Sequence, residues 1–344
     1  MPVQRITAIH PLRAIEGGRV TIRGRELVSD EPAPALPDVR FDVSPARVVC
    51  VSRRAVSVIV PAVLDGGRTS VRVGDAPGAT SFVDVGRPVA TGLHQVDSPV
   101  VGRDGTLFAT YSGKRGERSP VSVFRIRADG FREPFVTGIT NATSLALSPD
   151  GRLHVSSRYD GAVYRVADDG SFEVLVEELG AACGLAFSQD GTLYVGDRSG
   201  TVFRIATSGR ATPFATLPAS VAAFHLAWGP DDGLYVSVPT LSSCDCVYRI
   251  DRAGNVEPFA SAFGRPQGLA FDAGGVLHVV DALAGASGLY RMNADGTRTL
   301  VLAAPNLIGV TFDAAGGLVA ASSDTAYRFD HGDGVSEPSG RRPS

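Results

Sequence analysis

Residues 184–196 read GLAFSQDGTLYVG, and the same shape returns at 98–110 (SPVVGRDGTLFAT), 144–156 (SLALSPDGRLHVS), 225–237 (HLAWGPDDGLYVS), 268–280 (GLAFDAGGVLHVV) and 309–321 (GVTFDAAGGLVAA). Each copy is an apolar run, a Gly/Asp-rich turn and a second apolar run, the pattern of two strands joined by a tight turn. The second turn residues, Gly105, Gly151, Gly191, Gly233, Gly275 and Gly317, are spaced by 46, 40, 42, 42 and 42 residues. Self-similarity at that period marks a propeller or an array of repeats.

Outward from this core, most copies continue with a third strand, as in VYRVADDG at 163–170 and VYRIDRAG at 247–254. A fourth follows, such as EPFVTG at 133–138 or TPFATL at 212–217. Strand, turn, strand, loop, strand, turn, strand is one four-stranded blade, apolar on both faces as stacked blades require. The sixth copy stops at Tyr327-Arg328-Phe329-Asp330 without a fourth strand, and Arg87–Gly92, just ahead of the first copy, resembles the missing piece. The expectation is an all-β chain: a six-bladed β-propeller over residues 83–330, its ring closed by this N-terminal strand, and a disordered tail over 331–344. Such closure leaves no raw sheet edge between the first and last blades.

The first 82 residues read differently. Ile6, Ile9, Pro11, Gly17-Gly18, Val20, Ile22 and Gly24 are followed by short alternating strands and Val60-Pro61-Ala62. This pattern resembles the IPT/TIG family, an immunoglobulin-like sandwich that acts as a spacer or association module. The resemblance implies no catalysis there.

Composition narrows the function classes. The formal net charge is −3 with both signs interleaved, which gives no footprint for nucleic acid or an anionic membrane. No apolar run spans a bilayer and the start lacks a secretory core, so a cytoplasmic location is the default expectation. Cys50, Cys183, Cys244 and Cys246 do not form a disulfide framework; Cys244-Asp245-Cys246 lacks the second Cys/His pair of a zinc site. Glycine-rich phosphate loops, a Gly-x-Ser-x-Gly elbow and a His-Glu-x-x-His helix are missing.

The strand directions gather the starts of the inner strands and the loops after second strands on one face, where uneven loops form a plausible ligand mouth. Aligning the copies places Asp97, Thr143, Cys183, Phe224 or its neighbour His225, Gln267 and Ile308 at the inner-strand starts. Tyr111, Ser157, Asp197, Val238, Asp281 and Ser322 end the second strands, with Arg158 and Arg198 directly after two of them. Lys114, Arg115 and Arg118 lie in a long loop of the same face, usually a solvated cluster yet able to attract an anion. His154 and His278 hold equivalent second-strand positions, which points to packing between blades.

Residues 90–330 resemble the senescence-marker-protein/gluconolactonase family and, more loosely, NHL repeats. The resemblance implies a divalent metal held in the tunnel by a Glu in Glu-Ser-Pro, an Asn before Gly-Leu and an Asp before Gly. Here Asp97-Ser98-Pro99 matches the first position, while Cys183-Gly184-Leu185 and Gln267-Gly268-Leu269 depart at the others. A soft sulfur and a neutral amide replace hard, partly charged oxygen ligands, which weakens a calcium-type site. Asp197 and Asp281 are the substitutes that would keep a shifted calcium, manganese or zinc site, and with Asp97 and His225 they are the candidate catalytic residues; the plainer reading of the aspartates is that they accept N–H bonds from loops. Cys183 with His225 as a nucleophile pair would need a lowered thiol pKa. Two functions follow: a propeller binding a small molecule or protein at its mouth, or a metal-dependent lactone hydrolase around Asp97.

Overall fold

The turn between the first two strands of a repeat is built the same way each time. In the third copy Gly191 takes φ +85°, its N–H donates to Ser188 O at 3.0 Å, and Ser188 N–H returns a bond to Thr192 O at 2.9 Å. A left-handed backbone is cheap for glycine. In the fourth and sixth copies the left-handed residue comes one position earlier than the sequence alignment expects, at Asp232 (φ +58°) and Gly316 (φ +84°) rather than Gly233 and Gly317. Asp is among the few residues that tolerate this region.

The computed structural model describes residues 5–28, 36–74, 79–282 and 285–329; the expected tail at 331–344 lies outside them. Every regular element described is a strand. Among the described residues no helix is long and apolar enough to cross a membrane.

Repeats one to five each fold as an antiparallel four-stranded array in sequence order. Repeat three, for example, runs Ala182–Phe187, Leu193–Asp197, Thr201–Ile205 and Ala211–Thr216. The strands of repeat six take their outer partner from Arg87–Ala90, which pairs antiparallel with Ala326–Arg328, where the sequence places the missing strand. Inner strands contact those of the next repeat, and Leu307–Phe312 of repeat six contacts Val100–Val101 of repeat one. The architecture is that of a β-propeller.

Neighbouring repeats are joined by a recurring ring contact. The second-strand residue of one repeat meets the last inner-strand residue of the next: His154 with Phe187 at 4.9 Å, Tyr194 with Trp228 at 5.1 Å, Tyr235 with Phe271 at 5.0 Å and His278 with Phe312 at 5.0 Å between ring centroids. The two histidines therefore pack between sheets, as their repeat position predicts. Such pairs contribute about 0.5–1.5 kcal/mol each beyond area burial.

The described residues up to 85 form two facing sheets around Val20, Ile22, Phe41, Val56, Val58, Val71 and Val83. One sheet does not stop there. Arg13–Ala14 pairs in parallel with Thr80–Val85 on one side and with Arg298–Ala303, the outer strand of repeat five, on the other. Nine strands thus run as a single sheet from repeat five into the N-terminal segment. Ile15 is buried with Leu302, Leu307, Tyr327 and Phe329 of repeats five and six. At Gly18 an added Cβ would lie 2.2 Å from Ala303 O, so only glycine permits the approach.

Candidate functional site

Strand register brings the two sets of sequence-selected residues to one end of the repeats. Ser157 pairs with Ala142, Asp197 with Ala182 and Asp281 with Pro266, each joining a second-strand end to the start of an inner strand. In repeat one the segment carrying Asp97 lies against repeats five and six. A Cβ on Gly309 would sit 2.4 Å from Ser98 Cα, and one on Gly268 2.6 Å from Ser98 Oγ. Ser98 Oγ accepts the Val310 N–H at 3.2 Å, fixing the segment in place.

From there Asp97 reaches repeat four. Its Oδ1 lies 2.5 Å from His225 Nδ1 and 2.6 Å from the Ser98 N–H. His225 Nε2 in turn faces Gln267 Oε1 at 3.3 Å. The pair is 6% and 1% exposed, so it is closed off from solvent. The sequence left Phe224 and His225 as alternatives for one position. His225 turns toward Asp97, and Phe224 is buried beneath Gly184 and Gly196 among the apolar side chains of repeats three and four.

Asp197 and Asp281 are not drawn into this group by any hydrogen bond; both serve their own repeats. Asp197 accepts the Ala181 N–H at 2.8 Å and the Ser199 hydroxyl. Asp281 accepts the N–H groups of Gly264 at 3.1 Å and Arg265 at 2.8 Å, and Arg298 approaches it at 3.4 Å. Cys183 is buried, and burial pushes its thiol up to about 12, so it stays protonated near neutral pH. Among the described residues no three His, Cys, Asp or Glu side chains come together in the way a metal ion needs. With Asp97 committed to His225, and Asp197 and Asp281 to loop N–H groups, this donor set does not fit a calcium, manganese or zinc ion.

The arginines at this end of the repeats are less satisfied. Arg158 follows the second strand of repeat two, and its N–H donates to Thr143 Oγ1 at 3.3 Å while Thr143 donates to Asn141 O at 2.7 Å. The Arg158 Nε is buried and has no hydrogen-bond partner among the described residues. Burial lowers the Arg158 pKa from its ordinary value, and the nearby guanidinium groups of Arg115 and Arg198 lower it further. Arg198 holds the equivalent place in repeat three, with Nε donating to Ser220 O at 3.2 Å. Tyr111 is packed edge-on against His94 and Phe124.

Asn141 was not singled out in the sequence. Its Nδ2 donates to Ser112 O at 2.6 Å and Lys114 O at 2.9 Å, and its Oδ1 accepts the Gly116 N–H at 2.7 Å. It therefore clamps the Lys114–Gly116 loop of repeat one over repeat two, where a Cβ on Gly116 would lie 3.1 Å from the Tyr159 ring. The available signal was an Asn at an inner-strand start, where it can take the left-handed φ of +50°.

No protein-family model matches the chain, and no curated protein sequence matches it. Solved structures share its fold. A gluconolactonase from Xanthomonas campestris superposes with a TM-score of 0.58 at 19% identity, over 87% of this chain and 99% of its own. An auxiliary nutrient binding protein from Bacteroides ovatus gives 0.54 at 13% identity, over 96% and 98%. Virginiamycin B lyase from Staphylococcus aureus gives 0.51 at 17% identity, over 86% and 98%. At these identities the likeness is one of fold.

Proposed function

We propose that the chain is a ligand-binding propeller: an immunoglobulin-like module of residues 1–82, related to IPT/TIG domains, fused to a six-bladed ring of residues 83–330 that takes a small molecule at its mouth. The observation that carries this reading is the state of the mouth carboxylates. Asp97 is bonded to a buried His225, and Asp197 and Asp281 to loop N–H groups, so none is free to act on a substrate. A general base has to reach the proton it takes. The nutrient binding protein, which aligns over 96% of the chain and so includes the N-terminal segment, agrees with a binding role.

The competing function is a lactone hydrolase of gluconolactonase type with a metal near Asp97. It requires Asp97 to leave His225 and gather further oxygens. A panel of sugar and aliphatic lactones, with calcium, manganese or zinc against a chelator control, separates the two. Binding without turnover is the expected result. Metal-dependent turnover that disappears in Asp97→Ala overturns the binding reading.

A further inference from the structure

A half-buried guanidinium normally has a counter-charge, because desolvating it otherwise costs free energy. Arg158 has none among the described residues: no carboxylate bonds it, and its Nε is shut away from water without an acceptor. Its turn is held by Thr143 from one side. On another side the Arg115 loop is pinned against the neighbouring Tyr159 by Asn141. Arg198 stands at the same position in the adjacent repeat. Arg158 and Arg198 thus hold equivalent places in neighbouring repeats, with the Arg115 loop packed against Tyr159, where the local acids are already engaged: Asp97 with His225, Asp160 with Ser157 and Tyr164, and Asp197 with Ala181 and Ser199.

We propose that the mouth recognises its ligand through an oxyanion, a carboxylate or phosphate group clasped by Arg158 and Arg198 with Arg115 closing from the loop above. This rests on the binding reading and names the ligand class for that site. Arginine suits the task because its planar fork matches two oxygens of either anion. The remainder of such a ligand would lie over repeats two and three, beside Thr143 and above Cys183.

The test is calorimetry and thermal unfolding of the full chain with inorganic phosphate, glucose 6-phosphate, D-gluconate and, as the neutral control, glucose. One or more anions bind and raise the melting temperature, glucose does not, and the affinity falls as salt rises from about 50 to about 300 mM. Preference for glucose 6-phosphate over gluconate assigns a phosphate, and the reverse a carboxylate. Arg158→Ala weakens anion binding roughly tenfold to hundredfold, as loss of a charged hydrogen bond does. Arg158→Lys recovers part of it. Without ligand, Arg158→Ala melts no lower than the parent, since it removes an uncompensated charge; a clear drop would mark Arg158 as structural and overturn the assignment. Glucose binding as tightly as the anions and unmoved by Arg158→Ala overturns the oxyanion while leaving the mouth a binding site. No response to any anion at millimolar concentration overturns the inference, whatever the lactone assay gives.

Discussion

Asp97 Oδ1 and His225 Nδ1 meet at 2.5 Å although 128 residues separate them, tying the start of the first repeat to the inner strand of the fourth. The bond links two sheets that are not neighbours in the chain, and Gln267 extends it to a third. Ordinary propeller packing joins each repeat only to the next. This contact instead acts across the set.

Removing one partner should therefore destabilise more than a typical surface change. Asp97→Ala or His225→Ala is expected to lower unfolding free energy by about 1–3 kcal/mol, because the other polar group stays buried and unpaired. The double variant should cost less than the two single losses added together. A double-mutant cycle by denaturant unfolding measures this, and purely additive losses would count against the bond.

Acid should weaken the fold through His154 and His278. Burial lowers both pKa values below the ordinary 6.5, offset in part by bonds to the carbonyls of Arg152 and Val276. Asp272, near His278, also works against the shift, while Arg291 and Arg13 add to it. The folded state binds the proton less readily than the unfolded chain. Their contribution to stability is thus complete above pH 6.5 and is lost as pH falls from there toward the lowered folded values. The slope is at most about 1.4 kcal/mol per pH unit for each histidine. Replacing both with tyrosine, the residue repeats three and four use at Tyr194 and Tyr235, should flatten the stability–pH profile in that window.

Asn141→Gly keeps the left-handed backbone and deletes only the clamp. The expected loss is about 1–3 kcal/mol for the carbonyls and N–H left without partners. Amide exchange at Gly116 should accelerate while the strands of repeat two remain protected. Unchanged exchange at Gly116 would show that the loop holds itself.

Trp228, the chain's single tryptophan, lies in repeat four and reports on the propeller. Gly18→Ala forces a Cβ against Ala303 O in the outer strand of repeat five. It is expected to cost about 1–3 kcal/mol, as overpacking does, and to lower the midpoint seen by Trp228 fluorescence. A midpoint that stays put would mean the N-terminal segment unfolds separately from the repeats.

The repeats were legible because periodic apolar runs and turn glycines are imposed locally by pleat and backbone conformation. That signal also located the outer strand at Arg87–Ala90 and the packing of His154 and His278. It failed where geometry is not local. Arg13–Ala14 is too short to carry an alternation, so nothing announced that it joins repeat five. Asp232 replaced a turn glycine because a short polar side chain can also adopt positive φ. At the inner-strand starts and second-strand ends, alignment paired the positions but could not give their hydrogen-bond partners. Asp197 and Asp281 invited a metal reading by residue type, whereas the loop N–H groups that occupy them are set by chain path.

The seam at Arg13–Ala14 and the pairing of Arg87–Ala90 share a temporal property. In both, the earlier segment is synthesised long before its partner, at Arg298–Ala303 in one case and Ala326–Arg328 in the other. Contacts between such distant stretches form late and slowly. A nascent chain halted anywhere before residue 298 carries Arg87–Ala90 without its partner and Arg13–Ala14 paired on one side alone, with Thr80–Val85. The final repeats therefore act as the commitment step of biogenesis, when two waiting strand edges are claimed within a span of about thirty residues.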